Sequence, residues 1–449
     1  MVKRNYWHAV RKVSPVQIIA LGFLIVIFLG TALLSLPIAF EGDRISTLDT
    51  MFTATSATCV TGLITTDTAT HWSFFGEVVI LILIQIGGLG FMTILTLLSF
   101  MTRRKITLKE RMILSESLSG AELGGIVKLI RRVLLGTVFF ELLGASLLAF
   151  VFIPDFGVGK GIWKSIFISV SAFCNAGFDV MGDTYGAFSG LEPYVHNVTV
   201  NLTVCFLIIM GGIGFLVWGR PRQKYMPLHT KIVLLVTGLL LAGGTVLFYV
   251  FEYNNPATIG SFSFGEKVLA SFFQSVTTRT AGFNTIPNAE LSIPSKLISM
   301  LLMFIGGSPG STAGGIKTVT FAIVLWGAFS SIRGQGDVAI FRRRIPKQIV
   351  FRAMSVFISA LLIVFVSAII LLCFGGGPAI DLIFEVFSAL GTVGLGTGIT
   401  PGLPSVSKIL IMILMYIGRV GIITLSVAVL LKDEKINNVR YPEEKILLG

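Results

Sequence analysis

Four short clusters in this chain carry the residue types that bind cations through backbone oxygen. They are Cys59, Val60, Thr61 and Gly62; Cys174, Asn175, Ala176 and Gly177; Arg279, Thr280, Ala281 and Gly282; and Gly391, Thr392, Val393 and Gly394. Each glycine follows a phenylalanine by ten residues, from Phe52, Phe167, Phe272 and Phe384, and precedes Leu63, Phe178, Phe283 or Leu395. Ser56, Ser171 and Ser388 share a further column, with Val276 the exception. Glycine admits backbone conformations that other residues resist, and it allows close approach. Four extended glycine loops around one axis would make rings of carbonyl oxygens able to replace a cation's hydration shell. A tight helix-packing turn would explain one cluster; four at one spacing favour the rings. The residues alone reach a monovalent cation and do not set its size.

No other chemistry is grouped in this way. His8, His71, His196 and His229 are scattered, and Cys59, Cys174, Cys205 and Cys373 lie in or beside apolar stretches without metal-ligand spacing. Nothing implies a nucleophile or a bound cofactor, so the chain does not read as an enzyme. Arg279 stands in a cluster where a cation beside an ion path would be self-defeating. Its side chain should point away from the axis, toward an outer carboxylate such as Glu266 or Glu290. Outer Asp67, Asp179 and Asp183 would raise the local cation concentration, or serve only as solvated loop residues.

The clusters must be held at membrane depth. The chain has 449 residues, 54% hydrophobic and 13% charged, the composition of a polytopic membrane protein. Eight spans are expected at roughly 15–37, 73–100, 126–153, 195–218, 228–251, 293–330, 347–374 and 404–431. The first follows Lys3, Arg4, Arg11 and Lys12 and is too long for a signal-peptide core. Segments on the side of the termini hold 26 of the 35 Lys and Arg residues, which puts both termini in the cytoplasm. The net charge of +12 is thus mainly topological, and nucleic-acid binding is not expected. From Phe to Gly each cluster segment spans about half of a ~30 Å hydrocarbon core. It must enter and return by the outer face. The expected architecture is all-α, with four helix–pore-loop–helix units in pseudo-fourfold array around a central pore, at 1–120, 121–225, 226–340 and 341–449.

The closing helices of these units read QIGGLGF, IMGGIGF, FIGGSPGSTAGGIK and YIGRVGI, with Gly88, Gly212, Gly307 and Arg419 in one column. The third holds Gly306, Gly307, Ser308, Pro309, Gly310, Ser311, Thr312, Ala313, Gly314 and Gly315, which should break it into two pieces around an intramembrane loop. A phosphate-binding loop is excluded, because Ile316 separates Gly315 from Lys317. The loop reads as a gate; a kink without function is the alternative. An intramembrane arginine faces a cavity or a partner. Arg419 would repel ions, or bind the loop carbonyls and hold the loop closed; an ion pair with Glu141 is the alternative. Lys317 should face the cytoplasmic vestibule.

TCVTGL (Thr58–Leu63), CNAGFD (Cys174–Asp179), RTAGFNT (Arg279–Thr285) and TVGLG (Thr392–Gly396) resemble the motifs of the Trk/Ktr/HKT superfamily of cation transporters. The last is close to the TVGYG filter of potassium channels. The resemblance covers essentially the whole chain and is strongest to Ktr-type membrane subunits. It implies potassium selectivity, from glycine in all four loops, and a gating role for the 306–315 loop. It also implies a homodimer with one pore per chain, and a cytosolic ring of nucleotide-binding regulatory subunits through which ATP and ADP act. The basic loops 101–111 and 331–347 and the tail Tyr441–Gly449 are docking candidates, or contacts for lipid headgroups. The expected function is potassium uptake across the cytoplasmic membrane. The alternative is a sodium-coupled or less selective secondary transporter of monovalent cations, though such folds usually carry inverted repeats.

Overall fold

The computed structural model describes residues 15–42, 44–90, 125–218 and 226–421, with 93, 112 and 113. Loop 101–111, the tail Tyr441–Gly449, and the expected spans' ends beyond 93 and beyond 421 lie outside the described residues.

Helices follow in groups. First come α1 (Pro15–Leu34), α2 (Thr47–Cys59) and α3 (Phe74–Leu89). Next are α4 (Ile126–Phe156), α5 (Val158–Cys174) and α6 (Val198–Gly212). The third group is α7 (Leu228–Glu252), α8 (Phe264–Thr277), α9 (Ile293–Phe304) and α10 (Thr318–Ile332). The last is α11 (Lys347–Phe374), α12 (Ala379–Gly391) and α13 (Ser405–Val420). A small hairpin, β1 (Ala339–Ile340) and β2 (Arg343–Arg344), joins α10 to α11.

The first helix of each group is long and apolar enough to cross a membrane, and only 22–33% of its most apolar stretch is buried in the protein. Phe150 and Phe365 are 79% and 67% exposed; such faces suit lipid, where a helix satisfies its own backbone. The second helix of each group inverts this pattern. It has 13 to 17 residues, roughly 20–25 Å, and its inner half is buried. Local chemistry starts these helices: Ser46 accepts from Asp49 N at 3.1 Å, and Ser263 forms a capping box with Glu266.

The closing helices stop at one level. α3, α6 and α13 are followed by Gly90, Gly214 and Gly421, all with positive φ, two residues after the Gly88, Gly212 and Arg419 column. The expected span 195–218 is therefore broken, with α6 followed by a turn and a short helix at Phe215–Trp218. The expected span 293–330 is likewise two helices, α9 and α10, separated by the glycine-rich loop.

Candidate functional site

The four clusters converge. Each glycine has positive φ: Gly62 97°, Gly177 70°, Gly282 81° and Gly394 92°. A Cβ on Gly62 would stand 2.5 Å from the carbonyl oxygen of Ala176, and one on Gly177 2.7 Å from that of Ala281. A Cβ on Gly282 would collide with the Val393 carbonyl, and one on Gly394 with the Thr61 carbonyl. The contacts run from the first cluster to the second, third and fourth and back to the first. They close a ring, and no side chain fits at its four corners. That requirement, added to positive φ, dictates glycine.

Two residues before each glycine stands a second left-handed residue, Val60, Asn175, Thr280 or Thr392, with φ from 49° to 67°, and in all but the third cluster it is the cap that turns the chain out of its helix. Asparagine tolerates this conformation, whereas a β-branched residue in it is an outlier. In three clusters the turn is a Schellman motif. Val60 N donates to Ala57 O and Thr61 N to Ser56 O, and the same pairs recur as Asn175–Ala172, Ala176–Ser171, Thr392–Ala389 and Val393–Ser388. The serine hydroxyls brace the loops. Gly62 N and Gly394 N donate to Ser56 and Ser388 Oγ at 3.0 and 3.1 Å, while Ser171 Oγ donates to Phe178 O at 2.7 Å.

The third cluster differs by one residue. Thr277 Oγ1 donates to Phe283 O at 2.6 Å, as Ser171 does to Phe178 O, and Phe273 has no exposed surface, like Phe52, Phe167 and Phe384. The structural equivalents are thus Phe273 and Thr277, not Phe272 and Val276. The spacing to glycine is nine residues there, which removes the serine exception. The signal was present in the sequence, because Phe-x-x-x-Ser recurs as Phe273-x-x-x-Thr277.

Arg279 is buried and turns inward, not toward an outer carboxylate. It donates through Nη2 to Gly306 O at 3.3 Å. Glu266 instead pairs with His196 at 2.8 Å, and Glu290 offers its backbone carbonyl to Asn255 at 2.9 Å. Helix geometry explains the correction for Glu266: Arg279 lies just past the inner end of α8, beyond reach of a group in its first turn.

Residues 305–317 lie across the inner ends of these turns. Ser308 N and Thr312 N donate to Gly212 O and Gly211 O at 3.0 and 3.3 Å, and Phe215 N to Gly310 O at 2.7 Å. Thr312 Oγ1 reaches Asn175 Oδ1 at 3.1 Å, under the second turn. A Cβ on Gly315 would stand 3.3 Å from Gly391 O, and one on Gly307 would collide with Ala313. Pro309 packs its carbonyl against Gly214, and Ser311 Oγ accepts from Ala313 N at 3.3 Å. Arg419 grips this loop. It donates through Nη1 to Thr312 O, and through Nη2 to Gly87 O and, at 3.0 Å, to Gly88 O. Glu141 binds Gln85 at 3.3 Å instead. Lys317 folds back on the loop, donating to Ala313 O at 2.6 Å and Gly314 O at 3.4 Å. A cavity of about 310 Å³ adjoins the loop, lined by Gly88, Gly310, Gly315, Lys317, Gly391 and Arg419 among others.

At the outer mouth Asp67 accepts from Thr70 N and Phe188 N at 2.9 and 2.8 Å. Asp183 pairs with Lys164 at 2.5 Å. Asp179 is half-buried, and its Oδ1 accepts from Met181 N at 3.0 Å. Among the described residues no group of three His, Cys, Asp or Glu side chains could hold a metal ion.

Comparison with known proteins gives a consistent result. The model of a family described as TrkH, cation transport protein, matches residues 3–441. The chain is 43% identical over 449 residues to the potassium/sodium uptake protein NtpJ of Enterococcus hirae, covering 98% of each. It is 41% identical to the Ktr system potassium uptake protein B of Bacillus subtilis over 97% of each. Its fold is similar to the crystal structure of the potassium transporter TrkH from Vibrio parahaemolyticus. That TM-score is 0.71 at 18% identity, covering 95% of this chain and 86% of that one.

Proposed function

This chain belongs to the TrkH family of cation transport proteins, and from that premise we propose that it takes up potassium through a filter of backbone carbonyls at the four-glycine ring. It is a multi-pass protein of the cell membrane, a transporter and not an enzyme. The observation that carries the filter reading is the closed ring of Gly62, Gly177, Gly282 and Gly394, each against the neighbouring cluster's carbonyl. A ring of this kind offers a dehydrating cation many weak dipoles at once. The pore helices end beside it, so their partly negative C-termini favour cations over anions. Inward movement follows the membrane potential, worth about 2.3 kcal/mol per charge per 100 mV.

The same reading makes residues 306–315 the gate and Arg419 its latch. The latch is supported by the guanidinium on the Thr312 carbonyl: a protein cation occupies an oxygen that a permeating ion would otherwise meet. Division into four units near residues 120, 225 and 340 also belongs to this reading, supported by one pore-loop helix after each long helix. So do the homodimer and the regulatory ring carrying ATP and ADP, which the resemblance to Ktr-type subunits implies; two relatives are named as Ktr system proteins. The exposed Arg342, Arg343 and Arg344 around β2 are then a docking candidate.

The test is uptake in cells lacking their own potassium systems. The native chain restores growth at limiting potassium, and Gly62→Ser loses discrimination against sodium by about tenfold or more, since the added side chain meets the Ala176 carbonyl. Unchanged ion preference in that variant refutes the filter.

A further inference from the structure

Each loop climbs back to the outer face beside its own pore helix, and the ties between them differ. In the second group Lys164 of α5 donates to the carbonyl of Val180. In the third, Gln274 of α8 donates through Nε2 to Asn288 Oδ1 at 3.0 Å. In the fourth the tie is Glu385 of α12. Its Oε1 accepts from Thr400 Oγ1 at 2.9 Å. Gly396, two residues beyond the filter glycine, leaves the room for this: a Cβ there would stand 3.0 Å from Oε1.

Glu385 has no exposed surface, and its Oε2 is buried without a hydrogen-bond partner among the described residues. An ionised oxygen so placed would lose its hydration with nothing in return. The charged group facing it is Asp381, of the same sign and already paired with Lys296 at 2.9 Å. The corrected alignment adds an independent clue. Glu385 follows Phe384 as Gln274 follows Phe273, so one helix position carries a neutral amide in the third group and a carboxyl in the fourth. Both tie the return leg, and each leaves one side-chain oxygen without a partner.

We propose that Glu385 is a positioning residue for ion selection, working in its protonated, uncharged form to hold the fourth return leg, and with it Gly394, through Thr400. The inference rests on the filter reading above. It separates two roles: the glycines shape the ring, and Glu385 fixes where one quarter of it stands.

The experiment is tracer uptake of potassium by the full chain in cells, with sodium as competitor, resolving KM from Vmax at matched membrane abundance. Glu385→Gln rescues, staying within about twofold of the native chain in KM and in sodium exclusion, because it keeps an uncharged acceptor. Glu385→Leu raises the KM for potassium about tenfold and weakens sodium exclusion, from the lost buried hydrogen bond. Thr400→Val shifts both in the same direction and serves if Glu385→Leu fails to assemble. Glu385→Gln as impaired as Glu385→Leu overturns the uncharged form. Lower Vmax with unchanged KM and sodium exclusion in the leucine and valine variants overturns the positioning role. Gly394→Ser, measured alongside, separates the two readings. If it leaves sodium exclusion intact, the filter itself is wrong; if it abolishes exclusion while Glu385→Leu and Thr400→Val do not alter it, only the present inference fails.

Discussion

Val60, Thr280 and Thr392 are β-branched residues held in the left-handed region, with φ of 56°, 67° and 49°. Each such residue costs roughly 1–2 kcal/mol relative to a right-handed one. At Val60 and Thr392 the surrounding bonds, Schellman pairs and serine braces, impose the conformation, and what the strain achieves is a sharp exit from the helix directly into the ring. A residue of another kind belongs to the proposed outer approach: Asp179, two residues beyond Gly177. Asp179→Asn removes a negative charge there and raises the apparent KM for external cation while Vmax holds; an unaltered KM in that variant would remove Asp179 from the approach path.

At the scale of elements the broken third closing helix is the departure from symmetry on which the proposed gate rests. α9 stops at Phe304 and α10 starts at Thr318, and the loop between them is fastened from several sides: by Gly211 and Gly212, by Asn175, and by Arg419. Charge-assisted hydrogen bonds are each worth about 1.5–3 kcal/mol when buried. Arg419→Ala therefore raises basal flux about tenfold at equal expression, with Arg419→Lys in between. Deletion of Ser308 to Ala313 acts in the same direction, and flux equal to or below the native level in both would discard the gate. The break itself was legible in the sequence, because a Gly-Gly-Ser-Pro-Gly run cannot continue a helix. The partner of Arg279 was not. Its destination depends on where α8 ends in three dimensions, and residue type carries no such information. The one-residue offset of the third cluster was hidden by the adjacent pair Phe272 and Phe273, which supports two alignments. The left-handed column was also silent, since only Asn175 among its four members is a residue that favours that conformation.

The whole molecule is a ring of buried short helices enclosed by long apolar ones. The four membrane-crossing helices keep most of their surface for lipid, whereas the pore helices place Phe52, Phe167, Phe273 and Phe384 in the interior with no exposure. This inside-out arrangement explains why composition and spacing revealed an all-α polytopic membrane fold. Lipid selects apolar spans, and shared geometry around an axis demands repeated glycines. It also explains why the ties differ between groups: the axis imposes symmetry on the ring, while the periphery is free to use Lys164, Gln274 or Glu385. The most direct measurement of the central claim is anomalous diffraction from crystals grown with rubidium in place of potassium. The account predicts a peak on the axis enclosed by Gly62, Gly177, Gly282 and Gly394. Rubidium density elsewhere in the protein, with none inside that ring, would contradict it.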